Sequence, residues 1–263
     1  MLVDPSIVAH KPFTGDRMPT TAYASEALTQ LKVSCASCGL SDLCLPRGVD
    51  KVTLEQLDDA VDRIDPLPRS TSIFRQGEPL FALYAVRAGS VRSTHVGADG
   101  NEQVLGFHYP GDLLGLDALD GNVHQVTIDT LERTHLCALP INTLDNVLES
   151  VPPLRRQLLR IMSRNHAQDH HHLELMGRKA ATSRVAGWLL SVSKRLHAHG
   201  YESDQLSLSM SRSDLGNYLG LAIETVSRTL SRLQADGIIE VSGRSVTLLD
   251  KQRLTEAADG DCS

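Results

Sequence analysis

Between Leu67 and Leu139 the chain alternates apolar and polar positions in short runs: SIFRQ, LYAVRAG, VRSTHV, EQVLGFHY, HQVTIDTLE and THLCALP. A side-chain period of two is what a strand with one buried face requires. Gly77, Gly89, Gly97, Gly100, Pro110-Gly111 and Gly121 punctuate these runs at turn positions, so the segment predicts a β-roll of the jelly-roll kind. After Leu139 the period lengthens. INTLDNVLES predicts a short helix, and Pro152-Pro153 opens a long one, because proline is tolerated in a first helical turn. From Leu154 to about Lys179 only Gly177 interrupts it, so the helix spans roughly 37 Å at ~1.5 Å per residue. Helices of that length serve as coiled-coil partners or as struts between domains.

The C-terminal part reads as one helix over TSRVAGWLLSVSKRLHAHG, then two closely joined helices, then a hairpin in IIEVSGRSVTLLD around Ser242-Gly243. Ser211 three residues before Asp214 is a capping-box start, and Gly237 sits where a helix ends. The break at Leu219-Gly220-Leu221 makes the pair a helix-turn-helix, and the hairpin makes it winged. The fold class is therefore α+β. The expected order is a leader (1–34), a cysteine loop and β-roll (35–150), a long helix (151–180), a winged helix-turn-helix (181–250) and a polar tail (251–263).

On the second helix of the pair, Val226, Leu230 and Leu233 form the stripe expected to be buried. Glu224, Ser227 and Arg228 share another face near the helix N-terminus, where a recognition helix meets base edges. A carboxylate can accept from cytosine N4, an arginine can donate twice to guanine, and serine can contact bases or phosphate. The same Glu and Arg would otherwise form an ordinary solvated i,i+4 pair, and the helix-turn-helix context favours DNA.

Composition fits a globular chain: 263 residues, 41% hydrophobic and 22% charged. The net charge of -6 conceals an asymmetry. Residues 178–250 carry nine Lys/Arg against seven Asp/Glu, whereas residues 1–177 carry fifteen against twenty-two, so a DNA partner is expected at the C-terminal part. No apolar run reaches the ~18 residues of a membrane span, and MLVDPSIVAHKPFTG lacks a signal-peptide pattern, so the expected compartment is the cytoplasm. Thiols stay reduced there. The stretch VSCASCGLSDLCLP, with Cys35, Cys38 and Cys44 spaced x₂ and x₅, therefore points to metal or cluster binding before a disulfide. Cys262 reads as an uninvolved thiol. No nucleophile motif, phosphate loop or metallohydrolase signature occurs, so an enzyme is not expected.

The order of β-roll, long helix and winged helix-turn-helix, with GNYLGLAIETVSR at the reading helix, resembles the CRP/FNR family of bacterial transcription regulators. E-x-x-S-R at Glu224, Ser227 and Arg228, with the cysteine spacing, resembles its oxygen-responsive FNR subgroup. That resemblance implies that Cys35, Cys38 and Cys44 join Cys137, in THLCALP, to hold a 4Fe-4S cluster; four thiolates also suit zinc, which stays as the inorganic alternative. It further implies a homodimer on double-stranded DNA at TTGAT-type half-sites. RNA polymerase contacts are implied at exposed β-roll loops, including the Gly97–Gln103 turn, which also reads as a plain hairpin loop. Cyclic-nucleotide members carry a Gly-Glu followed by an Arg-Ser/Thr pair; after Gly111-Asp112 this chain runs LLGLDALDGNVHQVT without such an arginine, so nucleotide binding is not expected.

Along the long helix, Met162, His166, Asp169, Leu173 and Met176 recur at spacings of four and three, the rule for a coiled-coil seam. The resemblance implies that Asp169 opposes dimerisation by charge repulsion across the twofold. His166 departs from the apolar residue expected there, and Gly39, after the second cysteine, alters the surroundings of the cluster loop. The run His166, His170, His171 and His172 reads as a solvated helix face, although i,i+4 imidazoles also suit a metal.

Overall fold

The structure, a computed structural model, describes Cys35, Cys38, Cys44 and residues 51–178, 180–198 and 203–260. The leader over 1–34, Gly39 and Cys262 lie outside the described residues.

Helix α1 (Lys51–Ala60) precedes eight strands: β1 (Asp62–Leu67), β2 (Ser72–Phe74), β3 (Ala82–Ala88), β4 (Val91–Val96), β5 (Glu102–His108), β6 (Leu113–Leu114), β7 (Thr127–Thr130) and β8 (Thr134–Pro140). They form two antiparallel four-stranded sheets, ordered β1-β8-β3-β6 and β2-β7-β4-β5. The alternation decides which side chains meet: Phe74, Val86, Val91, Ile128 and Leu136 form one buried cluster drawn from both sheets. The predicted roll is present, with β1 and β6 added beyond the six alternating runs. Asp62, Asp65 and Pro66 had hidden β1, and β6 is too short to show a period.

Helix α2 (Ile141–Ser150) leads to α3 (Pro152–Arg178), which begins on the predicted proline pair and extends about 40 Å. One stripe of α3, Leu154, Leu158 and Ile161, is buried with Leu57, Leu83, Leu113 and Leu139 against the first sheet. Helix α4 (Ala181–Ala198), β9 (Gln205–Ser207), α5 (Arg212–Leu219), α6 (Ile223–Ala235), β10 (Ile239–Ser242), β11 (Ser245–Leu248) and α7 (Lys251–Asp259) complete the chain. The wing is the sheet β10-β11-β9.

The capping box forms as expected: Ser211 Oγ accepts from the Asp214 N–H, and Asp214 accepts from the Ser211 N–H. Gly220 closes α5 at φ 61°, and a Cβ at Gly216 would lie 2.6 Å from the Leu221 carbonyl, so the tight turn between α5 and α6 needs both glycines. One expectation is corrected. The tail from residue 251 is helical rather than a polar extension, because Leu254, Ala257 and Ala258 recur at helical spacing and are buried in the same core as Val185, Ala186 and Leu189 of α4. Asp250 caps it by accepting from the Arg253 N–H.

Candidate cysteine centre and nucleic-acid interface

Strand β8 lies between β1 and β3, and its register places Arg63, Cys137, Ala85 and Leu113 in one row across the first sheet. Leu136 points the other way, into the core between the sheets. Cys137 therefore stands on the sheet's outer face, with the small Ala85 opposite it leaving room above. Cys35, Cys38, Cys44 and Cys137 line a single cavity of about 50 Å³, closed by Leu57, Leu83, Leu113 and Leu139 and edged by Arg87. The sequence left these four residues about a hundred positions apart at the extreme; the fold brings them to one place.

Burial pushes the Cys35 thiol up to about 12, and the neighbouring Asp58 carboxylate adds to the effect. Burial also raises the Cys137 thiol, opposed by the charges of Arg87 and Arg63. Thiols in such a place stay protonated until a cation takes the proton's role. Among the described residues no group of three or more His, Cys, Asp or Glu closes on a single metal ion. The all-sulfur donor set and the apolar walls suit a thiolate-bound metal centre, iron-sulfur or zinc alike.

Two supports of this centre had no sequence signal. Asp58, on α1, accepts from the Cys35 N–H at 2.7 Å and pairs with Arg63 of β1. Gln157, on α3 and 1% exposed, donates from Nε2 to the Cys44 carbonyl at 3.1 Å, while its buried Oε1 has no hydrogen bond among the described residues. The third cysteine is thus bonded to the long helix.

The adjoining face of α3 is open. Leu173 is 65% exposed and Leu159 is 60% exposed, and Met162, His166 and Asp169 are exposed between them. Leu159 extends the expected seam by one position. Partial desolvation holds the Asp169 carboxyl above its usual range, against the pull of His166, His172 and His170. Met176, expected in the seam, approaches Gly220 of its own chain, where a glycine Cβ would lie 2.6 Å from its Cε. The histidine run also divides. His166 and His170 stand together with ring centroids 4.1 Å apart, whereas His172 is half-buried and stacks on Tyr218 of α5 at 4.0 Å. Each helical step turns 100°, which carries His172 round to the side of Leu158 and Ile161. The solvated face therefore holds His166, His170 and His171, and His172 is the exception.

On α6, Val226, Leu230 and Leu233 are buried as predicted, and Glu224, Ser227 and Arg228 are exposed on one side of the first two turns. Ser227 Oγ donates to the Ile223 carbonyl at 3.0 Å, which holds the serine against the helix. This domain is anchored to the roll. Arg92 of β4 reaches Asp214 at 2.5 Å, Ser90 meets Ser209 at 2.6 Å, and Asn217 accepts from the Val104 N–H and donates to the Glu102 carbonyl. Gln103, at the end of the Gly97–Gln103 turn, donates to the Asn217 carbonyl at 2.8 Å, so that end of the turn is engaged within the chain. Asp112, at the Gly-Asp pair, accepts from the Tyr109 N–H and pairs with Arg195 of α4.

This arrangement has known counterparts. A Crp-like helix-turn-helix domain matches residues 183–257, and a cyclic nucleotide-binding domain matches residues 65–151. The transcriptional activator protein FnrA of Stutzerimonas stutzeri is 42% identical over 231 residues, covering 88% of this chain and 95% of its own. The chain belongs to the CRP/FNR family. Within the family, the fumarate and nitrate reduction regulatory protein of Escherichia coli is 35% identical over 226 residues, covering 86% of this chain and 90% of its own. The structure of FixK2 from Bradyrhizobium japonicum superposes with a TM-score of 0.68 at 33% identity, covering 75% of this chain and 96% of that one. These CRP/FNR relatives are transcription regulators, not enzymes, and the chain is a DNA-binding transcription regulator of the type that is typically dimeric. No helix among the described residues is long and apolar enough to cross a membrane.

Proposed function

We propose that the protein is an oxygen-switched regulator whose Cys35, Cys38, Cys44 and Cys137 hold a 4Fe-4S cluster in a reducing cytoplasm. The observation that carries this reading is the convergence of the four thiols on one apolar cavity. Bound there, the cluster supplies an oxygen-labile junction between the cysteine loop and the sheet. The chain's own residues convert that into a signal. Asp58 and Arg63 hold the Cys35 backbone, and Gln157 ties the Cys44 carbonyl to α3. A loop held in place keeps α3 seated on the roll with Leu159, Met162, His166, Asp169 and Leu173 presented to a second copy. Loss of the loop's anchor removes that support, and the equilibrium shifts toward monomer. The dimer places two copies of α6 in successive major grooves of a pseudo-palindrome with TTGAT-type half-sites. The turn tip at Ala98–Asn101 is the part of the Gly97–Gln103 loop open to RNA polymerase.

Iron and sulfide analysis after anaerobic purification tests the ligand. The expected result is about four of each per chain; one zinc and no sulfide would replace the cluster with the zinc alternative. The nucleotide reading is not favoured, since Asp112 is committed to Arg195 and the Tyr109 N–H.

Two variants separate the parts. Glu224→Ala should relax preference at one base pair by ~1–3 kcal/mol, read as a change in the ranking of altered operators by fluorescence anisotropy. Uniform weakening on all sequences would assign Glu224 a structural role. Gln157→Leu, close in volume and apolar, should leave the cluster bound while weakening the anaerobic dimer by ~1 kcal/mol, read by sedimentation equilibrium. An unchanged dimer would remove Gln157 from the coupling route.

A further inference from the structure

We propose that the α3 seam carries a divalent-cation site, of the kind that takes Zn²⁺, built from His166 and Asp169 of two copies and completed only when they pair. The inference rests on the dimer reading above. His166 and Asp169 are i and i+3 on one exposed face, between Met162 and Leu173, so both belong to the part of the helix that a second copy would cover. In a parallel pair, His166 meets His166 and Asp169 meets Asp169 across the twofold. A His and a carboxylate at i,i+3 on each of two facing helices form a chelating arrangement used in helical bundles, and two nitrogens with two carboxylates suit zinc. His170, its ring 4.1 Å from that of His166, flanks the same level and supplies a further imidazole.

The electrostatics point the same way. Two seam carboxylates brought together without a cation repel, and two imidazoles leave polar nitrogens facing each other in a contact that Leu159, Met162 and Leu173 would otherwise make apolar. A single divalent cation answers both: it neutralises the paired carboxylates and uses the imidazole lone pairs. One chain supplies a single His166 and a single Asp169 at this level of α3, so a monomer has only half the site. Binding is then linked to association, because the cation binds the dimer and not the monomer.

The test uses full-length protein carrying Cys35→Ala, Cys38→Ala, Cys44→Ala and Cys137→Ala, which removes the thiol ligands of the cysteine centre, with ZnCl₂ as probe and sedimentation equilibrium as readout. Zinc should tighten the dimer on the order of tenfold or more, with titration calorimetry giving one seam ion for two chains. In His166→Leu, which removes the imidazole ligands and keeps the paired carboxylates, the zinc response should be lost. In Asp169→Asn, relief of repulsion should tighten the metal-free dimer, and the zinc response should be lost. A zinc effect that survives His166→Leu, or an oligomeric state indifferent to zinc in the protein lacking the four cysteines, overturns the site and leaves the seam standing. An Asp169→Asn protein that stays monomeric at all concentrations overturns the seam itself.

Discussion

Cys137→Ala is expected to abolish cluster retention and to lower anaerobic operator affinity by roughly ten- to a hundredfold, the range of a typical coupling free energy. The side chain stands at the centre of the first sheet, opposite Ala85 and beside Arg63, and only its outward atoms face the cavity shared with Cys35, Cys38 and Cys44. Its loss removes the one ligand supplied by rigid structure and leaves three on the loop. The sheet itself should survive, since alanine keeps the backbone ladder on both sides and the core on the opposite face is untouched. Visible absorption of anaerobically purified protein, iron content and operator titration read the effect. A variant that keeps a full cluster would strike Cys137 from the ligand set.

Arg195→Ala should produce the largest loss of stability, about 3 kcal/mol, because it leaves a mostly buried carboxylate without its counter-charge. Arg195 pairs with Asp112, donates to the Phe107 carbonyl at 3.2 Å and lies over the Tyr109 ring at 5.0 Å. Its side chain is 22% exposed and that of Asp112 is 15% exposed, so solvent screens the pair only in part. The link joins α4 to the turn after β5, and with Arg92–Asp214 and the Asn217 bonds it fixes the DNA-reading domain on the roll. Thermal melting followed by circular dichroism should fall by roughly 6 to 12 °C. A melting point within 1 to 2 °C of the parent, roughly the shift for half a kilocalorie per mole, would show that water replaces the pair without cost.

Local period made much of this molecule readable. The strands β2 to β5, β7 and β8 follow from alternation, α3 from its proline start and unbroken length, and α5 and α6 from a capping box, a glycine turn and a buried stripe. Cys35, Cys38 and Cys44 were visible because their spacing is short. Cys137 was reached only through a family resemblance, since a single cysteine in a strand carries no signal of the loop above it. Helix α1 and Asp58 on it carry no local signal, and α7 reads as a polar tail because three buried residues among nine make a weak stripe. Gln157, Arg92 and Asn217 each act through a partner more than a hundred positions away in sequence, with Cys44, Asp214 and Val104 respectively. Such pairings depend on how domains pack, which no local pattern encodes. Met176 and His172 show the converse: a seam or a face read from period alone assigned to solvent or a second copy what the chain's own α5 region covers.

The central claim is that the cysteine centre sets the oligomeric state and thereby DNA affinity. Its most direct test is one sample, purified without oxygen, titrated against a fluorescent operator, then exposed to air and titrated again while visible absorption is recorded. The account predicts that bleaching of the cluster absorption and loss of operator affinity occur together, with the protein becoming monomeric. Operator binding unchanged by air, in protein that holds zinc and no sulfide, would contradict it.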